Sequence, residues 1–275
     1  MRDRALSAAI LVPALLLILA VGGAVLAVAV AAVTVIAARE AFTLLREAGY
    51  PTLPVLGTVL ALSVILDAAF PGVLEGSGLL LISVGIVLVA VASFANPNPR
   101  DGLSLWMATT FGALYVSLLG FVVRLGHAAP IVPAGAPLAP LGAERGWILL
   151  LLLAVWSYDT GAFLVGRRFG RERFLTHISP SKTYAGLVGG VVAATVVVAV
   201  LLWGLGQSPL HAVLLGPLAA LAAQGGDLAE SMLKRAAKAK DSGTLIPGHG
   251  GMLDRVDSFL FAAPIVTLYV VAFLA

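Results

Sequence analysis

The sequence predicts an all-α, polytopic membrane protein with about nine transmembrane helices, a cytoplasmic N-terminus and a C-terminus outside. Apolar residues make up 60% of the 275 residues and charged residues only 11%, too few charges to cover a soluble surface of this size. Several apolar runs reach the roughly 20 residues that an α-helix needs to cross hydrocarbon. The basic residues are concentrated in alternate loops, as the positive-inside rule requires.

Nine apolar segments follow one another, separated mostly by glycine and proline. They run near 6–20, 22–45, 53–70, 77–94, 103–125, 147–165, 184–204, 208–233 and 256–274. The first is short for a full span and would cross tilted or only in part. Arg2 and Arg4 before it imitate a signal peptide, but a second apolar run follows at once, so we expect no cleavage.

We interpret the chain as one integral membrane domain, 1–275, with N-terminal transmembrane helices in 1–145 and the catalytic helices and cytoplasmic loops in 146–275. With the N-terminus inside, the cytoplasmic pieces are the N-terminus, 39–52, 95–102, 166–183 and 234–255. They hold all of the 17 basic residues except Arg124 and Arg145. For Arg39 and Arg46 this pattern indicates topology alone, but the last two loops contain more than topology requires.

Composition also excludes several kinds of site. The chain has no cysteine, which excludes disulfides, thiolate metal sites and cysteine nucleophiles. No pair of the four histidines has the helical spacing of a zinc site. The net charge of +3 is too small to indicate nucleic acid as a partner.

Acidic residues inside apolar segments are costly and so indicate function. Asp159 lies in the sixth segment, Asp227 and Glu230 in the eighth, and Asp254 and Asp257 at the start of the ninth. Carboxylates from different helices could hold one or two Mg²⁺ at the cytoplasmic surface, because this ion takes carboxylate and phosphate oxygens.

The eighth segment places polar side chains on one helix face. Asp227, Glu230, Ser231 and Lys234 are spaced i, i+3, i+4 and i+7, which brings them to the same side of a helix. The alternative interpretation is a polar seam that joins two helices.

The loop after this segment combines cations with glycines. Lys234, Arg235, Lys238 and Lys240 precede Gly250-Gly251, whose amides could bind a phosphate at a helix N-terminus. His249 lies among these glycines, and we interpret it as a substrate contact. Together with the carboxylates, this pattern is typical of phosphoryl or nucleotidyl transfer, with a metal, in-line displacement and a cationic clamp.

The preceding cytoplasmic loop offers a second candidate anion site. Ser179, Ser181, Lys182 and Thr183 place hydroxyls and a cation directly before a helix. From the residues alone, phosphate binding and simple headgroup contact are equally well supported.

These residues resemble the phosphatidate cytidylyltransferase (CDP-diacylglycerol synthase) family. Its signature runs Ser, two residues, Lys-Arg, four residues, Lys-Asp-x-Gly, then Pro-x-His-Gly-Gly and Asp-Arg-x-Asp, and residues Ser231 to Asp257 match it throughout. Gly226-Asp227, Asp159-Thr160-Gly161 and Ser179–Thr183 are also similar to the family. The strong resemblance covers roughly residues 156–260, and the N-terminal half is similar only as a string of membrane helices.

The resemblance implies that phosphatidate and CTP give CDP-diacylglycerol and pyrophosphate with Mg²⁺, either as two divalent ions or as Mg²⁺ with K⁺. It implies a homodimer in the bacterial inner membrane whose active site faces the cytoplasm. Asp227 and Asp254 would be metal ligands, Asp257 a further or indirect ligand, and Lys234 and Arg235 catalytic. The positions that would contact substrate are Ser179, Lys182, Thr183, Asp159, Ser231, Lys240, Asp241, His249, Gly250, Gly251 and Arg255.

Two other functions use similar residues. A CTP-dependent lipid kinase would transfer the γ-phosphate, and the full signature argues against it. A transporter could use Asp159 and Asp227 as ion sites, but the sequence has no visible inverted repeat. We expect direct attack by the anionic phosphatidate oxygen, with no covalent enzyme intermediate, because that oxygen needs charge screening more than a base.

Overall fold

The computed structural model describes residues 2–71, 78–245 and 250–274, with only the backbone described for residues 2–8, 10 and 11. Within these ranges the regular structure is helical, which confirms the predicted all-α class. The helices are α1 Arg2–Val21, α2 Gly23–Glu47, α3 Pro54–Ala69, α4 Gly78–Ser93, α5 Pro99–Ser117, α6 Gly120–His127, α7 Gly142–Phe169, α8 Tyr184–Gly204, α9 Ala212–Ala236 and α10 Leu253–Phe273. Short 3₁₀ turns at Ala139–Leu141 and Pro209–His211 precede α7 and α9.

Six helical segments of the described chain are long and apolar enough to cross a membrane. They are Gly23–Glu47, Pro99–His127, Ala139–Phe169, Tyr184–Gly204, Pro209–Ala236 and Leu253–Phe273. Val12–Val21, Pro54–Ala69 and Gly78–Ser93 are apolar but shorter. The predicted segment 103–125 is divided, because α5 ends at Ser117 and α6 begins at Gly120.

The first of two compact units comprises Met1–Val123 and Met232–Val256. Phe42 of α2 is fully buried, and its ring lies where a Cβ on Gly57 of α3 or Gly112 of α5 would sit. The backbone N–H of Leu53 donates to Thr109 Oγ1 at 2.9 Å, which ties the start of α3 to α5. Glycines and a buried aromatic ring therefore let these three helices pack closely.

The second compact unit comprises Arg124–Ser231 and Asp257–Ala275. Helices α7 and α8 approach closely at glycines, and a Cβ on Gly161 would lie 2.7 Å from Ala193 Cβ and 2.9 Å from the Gly189 carbonyl oxygen. Small residues allow such backbone contact between membrane helices. Inside this unit, the buried Tyr158 hydroxyl donates to Gln224 Oε1 at 2.5 Å.

The outer face of α8 is an exposed apolar stripe. Val188, Val192, Val196 and Val200, four positions apart, are each more than half exposed. A stripe of this kind is unfavourable in water and is suited to contact with lipid chains. It agrees with the membrane class that the composition predicts.

Candidate active site

Several of the predicted polar residues lie in two clusters, one in each compact unit. The loop cluster, in the first unit, comprises Lys234, Ser242, Gly251 and Asp254 with Glu40. The helix cluster, in the second unit, comprises Lys182, Asp227 and Ser231. Helix α9 contributes residues to both clusters.

Asp254, in the first turn of α10, is the centre of the loop cluster. Its Oδ1 accepts from Lys234 Nζ at 2.6 Å. Its Oδ2 accepts from the Ser242 N–H, the Ser242 hydroxyl and the Gly251 N–H, each at 2.8 Å. The Asp254 side chain is only 7% exposed and that of Lys234 13%. A charge removed from water to this extent needs such compensation, so the carboxylate is held in one orientation.

The glycine pair of the motif makes this geometry possible. Gly250 has a φ of 80°, the left-handed region that other residues avoid. A Cβ on Gly250 would lie 2.7 Å from Asp254 Oδ2, and one on Gly251 would meet Ser242 Oγ and Glu40. In the structure the Gly251 N–H donates to Asp254, although we predicted this amide as part of a phosphate cradle.

Glu40 of α2 is the residue that our reading of the sequence missed. Its Oε1 accepts from the Met252 N–H at 3.0 Å, and its Oε2 accepts from the Leu253 N–H at 2.7 Å and lies 3.0 Å from the Ser242 hydroxyl. The available signal was a carboxylate near the C-terminal end of an apolar segment, next to Arg39. We had interpreted Arg39 as a topology signal.

The helix cluster centres on an ion pair between Lys182 and Asp227, whose side chains are 24% and 23% exposed. The Ser231 hydroxyl lies 3.5 Å from Asp227 Oδ1, at the limit of a hydrogen bond. The structure thus joins two motif residues that the sequence presented separately. Glu230 on the same helix is fully buried.

Lys182 lies in an ordered loop between α7 and α8. Arg173 and Thr183 form an isolated β-bridge, and the Phe174 N–H donates to the Lys182 carbonyl at 3.2 Å. Thr183 Oγ1 accepts from the Gly186 N–H at 3.1 Å and so caps α8. Ser179, predicted to contact substrate, is 8% exposed. The loop therefore positions Lys182, while Thr183 has a structural role as the helix cap.

Asp257 lies where α9 and α10 touch. A Cβ on Gly226 would meet the carbonyl oxygen of Asp257, so the two backbones approach closely beside Asp227. Asp257 Oδ1 accepts from the Ser258 N–H at 2.6 Å. Asp227 of α9 and Asp257 of α10 therefore lie on helices whose backbones are in direct contact at Gly226.

The remaining predicted contacts are mostly on the surface. Asp159, Arg235, Lys240, Asp241 and Arg255 are exposed. Arg235 donates to the Ala239 carbonyl at 3.3 Å, within its own segment. Exposed cations are accessible to an anionic ligand. His249 lies outside the described residues.

The two carboxylates that we predicted as metal ligands, Asp227 and Asp254, differ in how well they could bind a divalent ion. Within the described ranges, no three His, Asp or Glu residues gather into a group that could hold a metal. Asp254 has three donors on one oxygen and an ammonium on the other, so it would become a ligand only if Lys234 moved away. Asp227 fits better at one oxygen, because Lys182 pairs with its Oδ2 whereas the Ser231 hydroxyl lies 3.5 Å from its Oδ1. Phosphate oxygens would complete the coordination shell.

Comparison with known proteins gives a consistent result. A family model described as the cytidylyltransferase family matches residues 2–273. A phosphatidate cytidylyltransferase of Synechocystis sp. is 35% identical over 295 aligned residues, covering 99% of this chain and 97% of its own. One from Mycobacterium bovis is 34% identical over 253 residues, covering 85% of this chain and 76% of its own.

A longer relative comes from a plant. Phosphatidate cytidylyltransferase 5, chloroplastic, from Arabidopsis thaliana is 36% identical over 272 residues, which cover 90% of this chain and 66% of the relative. The family match extends over both halves of the chain, including the N-terminal helices in which our sequence reading found no motif. The chain therefore belongs to the cytidylyltransferase family, a family of nucleotidyl-transferring enzymes.

Proposed function

We propose that this protein transfers the cytidylyl group of CTP to phosphatidate, giving CDP-diacylglycerol and pyrophosphate in phospholipid biosynthesis. The observation that carries the proposal is the full-length similarity to a phosphatidate cytidylyltransferase, 35% identical over 99% of this chain. The two clusters support it, since each pairs a lysine with a carboxylate. Cations held in place can meet phosphate groups with little reorganisation.

The proposed reaction is a direct in-line displacement. A phosphatidate oxygen forms a bond to the α-phosphorus of CTP, and the bond between that phosphorus and the bridging oxygen of the β-phosphate breaks. Its electron pair leaves with pyrophosphate. In the first unit, Lys234 screens negative charge and exposed Arg235, Lys240 and Arg255 bind phosphate oxygens. In the second unit, Lys182 screens negative charge beside Asp227.

We include Mg²⁺, alone or with a second divalent ion or K⁺, as the cofactor of this reaction. Asp227 would hold it, with Asp257 nearby on α10 and the remaining ligands from substrate phosphates. Bound there, the ion would supply Lewis-acid stabilisation of phosphate charge. Asp254 instead positions Lys234 in the arrangement described above.

The proposal includes a location. We place the protein in the bacterial inner membrane, with nine crossings, a cytoplasmic N-terminus and an outer C-terminus. This topology would put the loop cluster and the helix cluster on the side where CTP is found. Among the described residues, six membrane-length helices and three shorter apolar ones are compatible with this count, and the basic loops support the orientation. The homodimer rests on the family resemblance, and chemical cross-linking in native membranes tests it.

One experiment tests the reaction. Purified protein is incubated with Mg²⁺, phosphatidate and CTP labelled separately at the α and γ phosphates. Cytidylyl transfer puts the α label in lipid and the γ label in pyrophosphate. If the γ label enters lipid, the protein is a lipid kinase, and if neither label enters lipid, the proposed reaction is wrong.

A further inference from the structure

We propose that Glu40 is a positioning residue that holds the loop cluster in shape, so that Asp254 orients Lys234. The effect on turnover rests on the proposed function, whereas the effect on the loop does not. Glu40 comes from α2, far from the signature residues in sequence. Its partners Ser242, Met252 and Leu253 lie 202, 212 and 213 positions later.

Glu40 binds the N-terminus of α10. The Met252 and Leu253 N–H groups lie at the start of this helix, where amides lack partners within the helix. The carboxylate accepts from them at 3.0 and 2.7 Å, one through each oxygen. An anionic side chain is also favoured there by the helix dipole. Glu40 therefore fixes where α10 begins, one residue before Asp254.

Ser242 connects Glu40 to Asp254. Its hydroxyl lies 3.0 Å from Glu40 Oε2 and 2.8 Å from Asp254 Oδ2. A hydroxyl has one proton to donate, so the two carboxylates share it. The Asp254 N–H donates back to the same oxygen at 3.3 Å. A change at Glu40 must therefore alter the hydrogen bonding of Asp254, which holds Lys234.

Two glycines of the signature lie so close to the Glu40 carboxylate that neither position has room for a side chain. A Cβ on Gly243 would lie 2.7 Å from Glu40 Oε1, and one on Gly251 would also meet the Glu40 carboxylate. Both glycines belong to the matched signature, Gly243 in Lys-Asp-x-Gly and Gly251 in His-Gly-Gly. The signature loop thus leaves room for a side chain that lies outside the signature.

The test compares Glu40→Gln with Glu47→Gln in the full-length protein. Glu47 is an exposed glutamate in the last turn of the same helix, so its variant controls for loss of one negative charge from α2. Glu40→Gln keeps the shape but turns an NH₂ group toward groups that donate hydrogen bonds. Hydrogen–deuterium exchange of residues 250–254 measures the loop, and kcat and KM for CTP measure turnover.

We expect Glu40→Gln to speed exchange at 250–254 and to lower kcat roughly 10- to 100-fold, as loss of a supporting contact does at other sites, with KM changed less. Glu47→Gln should behave as the wild type in both measurements. Unchanged exchange in Glu40→Gln, or faster exchange with wild-type kcat, overturns the inference. If the wild type transfers no cytidylyl group, the proposed function fails, and a wild-type exchange rate in Glu40→Gln still counts against Glu40.

A second variant covers failure of Glu40→Gln to fold. Ser242→Ala removes the link between the carboxylates but leaves both backbone contacts of Glu40. It should lower kcat as well, with a smaller change in exchange. Where both variants fold, the double variant Glu40→Gln with Ser242→Ala should lose less kcat than the product of the two separate fold-losses, because the two residues act through the same contact. Independent, multiplying losses would contradict the Ser242 link.

Discussion

Lys182, in the loop before α8, forms an ion pair with Asp227 of α9. A partly exposed pair of this kind adds little to stability, which points to a role in orienting the lysine. We expect Lys182→Met to lower turnover at least about tenfold while shifting the melting temperature by less than about 4 °C. Assays of cytidylyl transfer and thermal unfolding in detergent check both values. Arg171→Ala, at an exposed cation of the same loop, is the control, and equal losses in the two variants would contradict this role.

Asp254→Asn should lose both activity and stability. The amide would remove the negative charge that Asp254 presents to the Lys234 ammonium and would place an NH₂ group against hydrogen-bond donors. Breaking a buried pair in this way costs about 3 kcal/mol, or roughly 6–12 °C in melting temperature for a chain of this size. Asp227→Asn should lose activity with a smaller change in stability, because its pair is more exposed. Near-wild-type turnover in either purified variant would show that the carboxylate is dispensable.

Removal of divalent ions should abolish cytidylyl transfer, and added Mg²⁺ should restore it. If Asp227 is the ligand, Asp227→Asn, where any activity survives, should need more Mg²⁺ for half-maximal rate. Loss of a residue that only supports a metal ligand typically costs roughly 10- to 100-fold in metal affinity, so loss of a ligand should cost at least as much. A Mg²⁺ titration of the initial rate measures this. If Asp254→Asn raises the Mg²⁺ concentration needed for half-maximal rate and Asp227→Asn does not, the ligand is Asp254 and not Asp227.

Gly250→Ala should damage the loop cluster directly. Its φ of 80° costs a non-glycine residue about 1–2 kcal/mol, and the new Cβ would press on Asp254. We expect lower turnover and faster amide exchange at 250–254. Gly135→Ala is the matched control, because a Cβ there meets nothing within 4 Å. A Gly250→Ala protein with wild-type turnover would mean that the tight turn is not required.

Gly161→Val should separate α7 from α8. The side chain would enter space taken by Ala193 and by the Gly189 carbonyl, and overpacking of this kind costs about 1–3 kcal/mol. The loss of stability is measured as a lower melting temperature, with size-exclusion chromatography used to detect the folded protein that remains after heating. Val188→Ala, at an exposed position of α8, should unfold close to the wild-type temperature. Equal melting temperatures for the two variants would argue against close packing at Gly161.

The apolar pattern predicted the helices well, because each membrane helix must satisfy its own backbone hydrogen bonds and cover about the same length. The predicted segment 184–204 coincides with α8, Tyr184–Gly204. The predicted segment 103–125 lies within the membrane-length segment Pro99–His127, but the end of α5 at Ser117 was not predicted, since Leu118 and Leu119 are as apolar as their neighbours. Helical periodicity and composition predict which face of a helix is buried, but they do not predict the residue at which the helix ends.

The site was predicted only in part, for a related reason. Local spacing identified Asp227, Lys182 and Asp254 as functional candidates, but it could not reveal that Lys182 would meet Asp227. Thr183 has a role that the prediction did not include, because a threonine before a helix is as typical of an N-cap as of a phosphate contact, and its predicted contact with substrate stays a prediction. Glu40 could not be found by spacing at all, since its partners lie more than 200 positions away. Only folding brings such residues together.

The distance in sequence between Glu40 and its partners also sets an order of assembly. The ribosome completes α2, Gly23–Glu47, long before it makes residues 242–253, so Glu40 meets its partners only after almost the whole remaining chain has been made. Contacts between such distant positions form slowly, because closing so long a loop costs entropy before the contact stabilises the chain. Chains that stop before α10 would contain Glu40, Lys182 and Asp227 but no loop cluster. Incomplete copies would therefore insert into the membrane without a finished site.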